Sequence, residues 1–279
     1  MNVAHDLLTE FVARYPAQPA TAFFRAIEID ELAAAMHNVA GLGLDLGCGD
    51  GILTDILFQR IGKPARLVGV DPDPLETDAA RSYDFYERIH TCGGAEIPEA
   101  DDTFDYVISN SVLEHIPDLE PVIAEVGRVL RPGGKFYFTV PCPGFHANLA
   151  GSVSGRDRET YLAEVDKRLA HAHYLSERDW NQICGRNGLT IHTIKGYVGR
   201  AETRRWETLS RMTGGLLYKL VGENARPIEI QRALKLRTFQ NTMRLPNLVA
   251  SGLASVITLG LAEEQPDSDQ SCLLVVGHR

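Results

Sequence analysis

Short apolar runs alternate with amphipathic stretches from about residue 40 to residue 140, a pattern typical of a parallel α/β sheet. The predicted strands of this region are 41–46, 65–71, 88–92, 105–110 and 135–140. Between them, 52–62 and 118–130 carry apolar residues at helical spacing. The pattern therefore predicts strands joined by helices that each bury one face.

Local signals set the ends of several elements. The RPGG at 131–134 predicts a stop after the helix at 118–130, because glycine tolerates a positive φ. Ser176 and Asp179 form a capping-box pattern within 173–191, and Gly188 marks the end of that helix before a sixth strand. The final residues, 271–279, predict a terminal strand.

A long segment separates the sixth strand from the last one. From 195 to 247 it carries eleven Lys and Arg against four Glu, a net charge of +7. Apolar residues recur among the basic ones at Trp206, Leu209, Met212, Leu216, Leu217, Leu220 and Val221. Farther along, the apolar residues of 247–261 have helical spacing. We predict an N-terminal helical cap at 1–37, a core at 38–196 plus 271–279, and a helical insertion at 197–270.

Composition narrows the class of protein. The 279 residues carry a net charge of −9, which argues against a general nucleic-acid binder. The five cysteines are widely spaced and include no C-x-x-C pair, as expected of reduced thiols rather than disulfides or a zinc site. The first residues lack the pattern of a signal peptide, and no apolar run reaches the roughly 20 residues of a membrane span. A cytoplasmic protein is expected.

The sequence DLGCGDGIL at 45–53 places three glycines between the first predicted strand and its helix. A dinucleotide loop reads G-x-G-x-x-G, whereas the third glycine here comes one residue early. Asp50 also lies inside the turn, where its carboxylate would repel a pyrophosphate. No G-K-[ST] follows, which excludes a P-loop. The loop therefore favours a ligand without phosphates.

Two acids suggest what that ligand carries. Asp45 ends the first strand, where it can attract an ammonium group directly or through water. Asp71 ends the second strand 20 residues after Gly51, and its two oxygens suit the vicinal hydroxyls of a ribose. Together with the glycines they indicate a nucleoside that bears a positive charge.

At this point the chain resembles the class I S-adenosylmethionine-dependent methyltransferases, in the small-molecule branch called type 11. The matching stretches are 44–51 (LDLGCGDG), 68–74 (VGVDPDP), 95–116 and 125–141. The resemblance covers about 38–146 well, 173–196 loosely and the insertion not at all. It implies a Rossmann-like seven-stranded sheet of order 3-2-1-4-5-7-6 with helices on both faces and an antiparallel strand 7.

The resemblance also implies S-adenosylmethionine as the cofactor. Position by position, it places Gly47, Gly49 and Gly51 at the methionine portion, Asp71 at the ribose, Pro72, Ala95 and Glu96 at the adenine, and Asn110 or Ser111 beneath the methionine portion and the sulfonium. Asp45 and Cys48 complete the predicted cofactor-binding residues. One position departs from the pattern. Many relatives have an Asp just before the Ala-Glu pair, where this chain has Gly94.

Methyl transfer to a hydroxyl needs a general base, most often His. The candidate catalytic residues are His115, in a Leu-Glu-His element that the resemblance places near the cofactor, and His146, just past the fifth strand. A structural role as a loop or helix cap is the alternative for His115. No metal-ligand cluster stands out, and no metal is predicted.

The acceptor is less constrained. The sequence NSVLE stands where nucleobase amino-methylating enzymes carry N/D-P-P-Y/F, which disfavours DNA. The basic insertion has three interpretations. It can form a lid over an anionic or lipid-linked acceptor such as a cell-surface sugar, or 197–261 can make a peripheral contact with the inner face of a membrane. The third interpretation is a helical cap or a homodimer contact. We predict methylation of an O or N atom of a small molecule. A non-catalytic S-adenosylmethionine-binding scaffold is the alternative.

Overall fold

In the computed structural model, seven strands form one sheet in the order β3-β2-β1-β4-β5-β7-β6. The strands are β1 (Leu42–Leu46), β2 (Arg66–Asp71), β3 (Tyr86–Thr91), β4 (Phe104–Asn110), β5 (Leu130–Pro141), β6 (Thr190–Tyr197) and β7 (Cys272–His278). β1 pairs in parallel with both β2 and β4, whereas β7 runs antiparallel to β5. The predicted strand order and the antiparallel last strand are confirmed.

Ten α-helices are described with the sheet. They are α1 (His5–Arg14), α2 (Pro19–Ala35), α3 (Ile52–Ile61), α4 (Pro74–Ala80), α5 (Glu120–Val129), α6 (Pro143–Asn148), α7 (Arg158–Leu169), α8 (Glu177–Arg186), α9 (Arg200–Met212) and α10 (Asn247–Thr258). The structure describes residues 3–36, 38–62, 66–212, 244–261 and 270–279. Among these residues, no helix is long and apolar enough to cross a membrane.

The chain divides into two compact units. The sheet unit comprises 31–143, 172–196 and 272–279, and its core joins the central strands to α5 and α8. Trp180 and Phe138 lie in that core, because the apolar faces of these elements have no other place to exclude water. The Ser176–Asp179 capping box at the start of α8 is present as predicted, and Gly188 has the positive φ of a helix stop.

The helical unit comprises 1–30, 144–171 and 197–271. Glu207 of α9 is buried in it, accepts hydrogen bonds from Ala150 N and Tyr161 Oη, and pairs with Arg211 Nη2 at 2.6 Å. These donors compensate the cost of burying a carboxylate. They tie α9 to α7 and to the chain segment after α6.

The helix stop predicted from RPGG at 131–134 is present, since α5 ends at Val129. The strand predicted at 135–140 begins earlier, at Leu130, so RPGG is the first part of β5. Gly133 N donates to Arg279 O and Arg279 N donates to Gly134 O, so the end of the chain pairs with this segment. Pairing with a residue almost 150 positions away leaves no local signal.

The predicted helical insertion is described at both of its ends. α9 contains Trp206, Leu209 and Met212, and α10 starts at the first residue of the second predicted stretch, 247–261. Leu216, Leu217, Leu220 and Val221 lie outside the described residues, as do 262–269. The boundaries predicted for the three domains stay predictions.

Candidate functional site

The glycine loop leaves the carboxyl end of β1 and is held against β2. Gly47 N and Cys48 N both donate to Val70 O, at 2.7 and 3.0 Å. Gly51 caps α3 in the left-handed conformation with φ at 81°, and Ile52 N donates to Asp50 Oδ1. The Asp50 carboxylate therefore caps this helix N-terminus itself, where a phosphate would otherwise bind. This arrangement agrees with the exclusion of a pyrophosphate.

The three glycines are required for different reasons. All three have positive φ. A Cβ atom on Gly47 would lie 2.3 Å from Val112 Cγ2, and one on Gly51 would lie 2.8 Å from Tyr83 Cδ2. A Cβ atom on Gly49 would lie in ordinary van der Waals contact with a Glu76 oxygen at 3.8 Å and would collide with no atom. Gly49 is therefore required for its positive φ rather than for close packing within the protein, and its backbone stays approachable by a ligand.

Asp71 connects this loop to the end of β2. Its Oδ2 accepts from Gly49 N at 3.0 Å and its Oδ1 accepts from Asp73 N at 2.9 Å. Burial raises the pKa of Asp71, and these two hydrogen bonds oppose that shift. Each carboxylate oxygen keeps a further lone pair. The residue can therefore bind two hydroxyl groups while it holds the loop.

Asp45 is buried at the end of β1. Its Oδ2 accepts from Thr54 Oγ1 and from Tyr86 Oη, both at 2.5 Å. Burial raises the pKa of the Asp45 carboxyl to about 6, although both hydrogen bonds lower it. Thr54 and Tyr86 were missed in the sequence because they stand 9 and 41 residues away along the chain. With a pKa of about 6 the Asp45 carboxyl is still mostly ionised at pH 7, so it adds to the negative charge of Asp71 toward a cationic ligand.

We expect Asp45 to make stability depend on pH between about pH 4 and pH 6. Its pKa is about 6 in the folded chain and 3.8 in the reference state. Its stabilising contribution is therefore complete below about pH 3.8 and is lost as the pH rises through about 6, a change of about 2–3 kcal/mol. Urea unfolding of wild type and Asp45→Asn across this range measures it. A difference between the two that does not vary with pH would contradict this prediction.

The segment after β4 forms the neighbouring wall. Ser111 has a φ of 48°, unusual for a residue other than glycine, and its N–H donates to Thr139 O at 2.9 Å. Val112 follows and lies close to Gly47, since a Cβ atom on that glycine would lie 2.3 Å from Val112 Cγ2. Strained backbone of this kind is often found at ligand sites. β1 and β4 are neighbours in the sheet, which brings Asn110 and Ser111 to the same edge as the loop.

The segment predicted to contact adenine is exposed at Ala95 and Glu96 and anchored just beyond them. Ile97 N donates to Glu125 Oε1 at 2.7 Å, and Arg128 Nη2 donates to Ile97 O at 3.0 Å. Both anchors come from α5. Pro72 is exposed after β2, so it lies in reach of a ligand bound at this edge.

The two candidate bases lie in different units. His115 ends a 3-10 turn, Leu113–His115, in the sheet unit, and its exposed ring has Nε2 3.9 Å from Glu114 Oε1. His146 belongs to the helical unit, where its Nε2 lies 2.7 Å from Asp166 Oδ1. The structure therefore gathers the predicted cofactor residues and His115 within the sheet unit, and it places His146 in the other.

Comparison with known proteins identifies the family. A family described as "Methyltransferase domain" matches residues 21–194, which is more than half of the chain. The chain belongs to the class I S-adenosylmethionine-dependent methyltransferases. The match includes every predicted cofactor residue of this chain, from Asp45 to Ser111.

Curated relatives of this methyltransferase carry a common name. The ubiquinone biosynthesis O-methyltransferase of Nitrobacter winogradskyi is 32% identical over 204 residues, which cover 70% of this chain and 74% of that protein. The mitochondrial ubiquinone biosynthesis O-methyltransferase of Homo sapiens is 28% identical over 173 residues, 58% of this chain and 45% of that protein. The methyltransferase chain thus spans about half the length of the human relative that it matches.

Among solved structures, a geranyl diphosphate methyltransferase in complex with S-adenosylmethionine has a TM-score of 0.56 to this methyltransferase. The sequence identity is 14%, and the alignment covers 94% of this chain and 90% of that chain. This likeness shows the fold alone.

Proposed function

We propose that this chain transfers the methyl group of S-adenosylmethionine to an oxygen atom of a small molecule. The observation that carries the proposal is the glycine loop after β1, in which Asp71 Oδ2 accepts from Gly49 N at 3.0 Å, next to the buried Asp45 that ends the same strand. Oxygen as the acceptor atom is supported by the names of the two curated relatives.

The residues at this edge of the sheet fit the cofactor. Asp71 would bind the ribose hydroxyls, and Asp45 would attract the ammonium group through its charge or through water. The open backbone at Gly49 leaves room for the methionine portion. When bound, S-adenosylmethionine supplies a methyl group on a sulfonium, which an aligned acceptor oxygen takes in an in-line displacement.

His115 is the general base that we propose for an acceptor hydroxyl. It lies three residues beyond Val112, the residue that packs on the glycine loop, and its ring is exposed to an entering acceptor. A ring nitrogen of His115 would accept the proton of the hydroxyl whose oxygen takes the methyl group. His146 is the second candidate, because Asp166 holds its ring in one orientation as a base requires.

Calorimetry followed by turnover tests this function. We expect S-adenosylmethionine and S-adenosylhomocysteine to bind, and labelled methyl groups to appear on a hydroxylated acceptor from a panel of ubiquinone precursors and sugars. A methylated ubiquinone precursor would follow the names of the relatives, whereas a sugar product would follow the prediction made from the basic insertion. Absence of binding of either cofactor form would refute the proposal. Binding without transfer across the panel would favour the non-catalytic scaffold.

A further inference from the structure

α10 presents an apolar face to solvent. Its twelve residues, NLVASGLASVIT, include no charged side chain. The exposed large apolar residues of this helix and of the residue that ends it are Leu248, Val249, Leu253, Val256 and Leu259. At 3.6 residues per turn they fall on one arc of about 140°. Side chains of this size are seldom exposed together on one surface without a binding partner.

The opposite face anchors the helix. Ala250, Ala254 and Ile257 are buried, and α10 packs on α1 within the helical unit. Leu245 N donates to Ala13 O just before the helix, and Ser255 Oγ lies 3.1 Å from His5 Nε2. The exposed aliphatic face is therefore held outward by contacts on its other side.

Basic side chains lie at both ends of α10. Arg244, three residues before the helix, pairs with Glu10 of α1. Arg205 of α9 donates to the carbonyl oxygen of Leu259 at 2.7 Å, and Arg204 beside it is exposed. A carbonyl carries no net charge, so the positive charge of Arg205 persists at the carboxyl end of the helix. Glu10 balances the charge of Arg244 at the amino end, so the positive charge lies mainly at the carboxyl end. An aliphatic face beside a cationic end is complementary to a lipid surface with anionic headgroups.

We propose that the exposed face of α10 inserts into the headgroup region of an anionic lipid bilayer. A second copy of the chain fits this face less well. A specific dimer interface uses about 20–30 residues from each partner, whereas this face offers five large side chains on one short helix. Shallow insertion needs only an apolar strip that lies along the surface. This inference goes beyond the proposed function, since it does not depend on methyl transfer.

Sedimentation of the full chain with lipid vesicles tests it. We expect the wild type to bind vesicles of phosphatidylcholine with phosphatidylglycerol, and the variant Leu248→Ser/Val256→Ser to bind at least about tenfold more weakly. The matched control is Val153→Ser, since Val153 is 84% exposed and Leu248 is 87% exposed, both in the helical unit. The control should bind as the wild type does. Because all three positions are exposed, thermal unfolding should match among the proteins.

Three results would overturn the proposal. The first is that the wild type stays in the supernatant, and the second is that the double variant binds as well as the control. The third is a dimer in solution that the double variant dissociates, which would make this face an interface between copies.

Added salt distinguishes the electrostatic from the aliphatic contribution to vesicle binding. We expect salt to weaken binding without abolishing it, because the aliphatic contact is not screened. Glu263, Glu264, Asp267 and Asp269 follow the helix outside the described residues, so charge alone should not hold the chain.

Discussion

Gly49→Val is expected to lower the affinity for S-adenosylmethionine about tenfold to hundredfold while the sheet unit stays folded. In the free protein a Cβ atom there meets no atom closer than 3.8 Å. The added side chain would therefore fill the space in which we place the cofactor, and overpacking of a fitted site typically costs about 1–3 kcal/mol. Calorimetric titration with S-adenosylmethionine and S-adenosylhomocysteine measures the loss.

Gly62→Val is the matched control. Gly62 ends α3 with φ at 87°, and a Cβ atom there has nothing within 4 Å. Both substitutions therefore carry the strain of a branched residue at positive φ. Because Gly62 combines a φ of 87° with a ψ of 147°, a region almost confined to glycine, the control should lose at least as much stability as Gly49→Val but keep its affinity. If Gly49→Val bound the cofactor as tightly as Gly62→Val does, the ligand would not approach the loop at this position.

Gly47→Val behaves differently, and the contrast explains what each glycine does. Its Cβ atom would collide with Val112, so the loop or the segment after β4 has to move before any ligand binds. Both folding and binding would suffer. Gly49→Val carries only the strain of its positive φ, which Gly62→Val controls for, so the remaining loss of affinity reports on the cofactor.

The sequence predicted best those features whose residues lie close together along the chain. The strand positions follow from the alternating apolar runs and the loop follows from its three glycines, because both signals are local. The strand order followed only from the family resemblance. Asp71 was found in the same way, at the end of a predicted strand. Its contact with Gly49 N was not foreseen, since 22 residues separate the two.

Other parts of the site depend on pairing between distant strands. Tyr86 opens β3, and only the order of the sheet brings its hydroxyl to Asp45. The same is true of Thr139 in β5, whose carbonyl holds the strained Ser111. No spacing along the chain marks such residues. The helix α7, which holds Asp166 beside His146, was also missed because its polar composition hides its apolar face.

Asp71→Ala is expected to weaken cofactor binding by about ten- to hundredfold. The side chain accepts hydrogen bonds from Gly49 and Asp73, and the ribose hydroxyls would add two more. Hydrogen bonds to a charged group contribute about 1.5–3 kcal/mol. Asp78→Ala is the control, because Asp78 is an exposed acid of α4 that pairs only at the surface with Arg81. It should leave the affinity unchanged.

Loss of affinity in Asp71→Ala has two physical sources, and a double cycle separates them. The variant loses the acceptor for Gly49 N, which holds the loop, and it loses the contact with the ribose. Wild type should bind a 2′-deoxy analogue of S-adenosylhomocysteine more weakly than the parent compound, whereas Asp71→Ala should bind both alike. If the variant still discriminated against the deoxy compound as strongly as wild type does, Asp71 would act on the loop alone. The ribose would then be bound by another residue at this edge of the sheet.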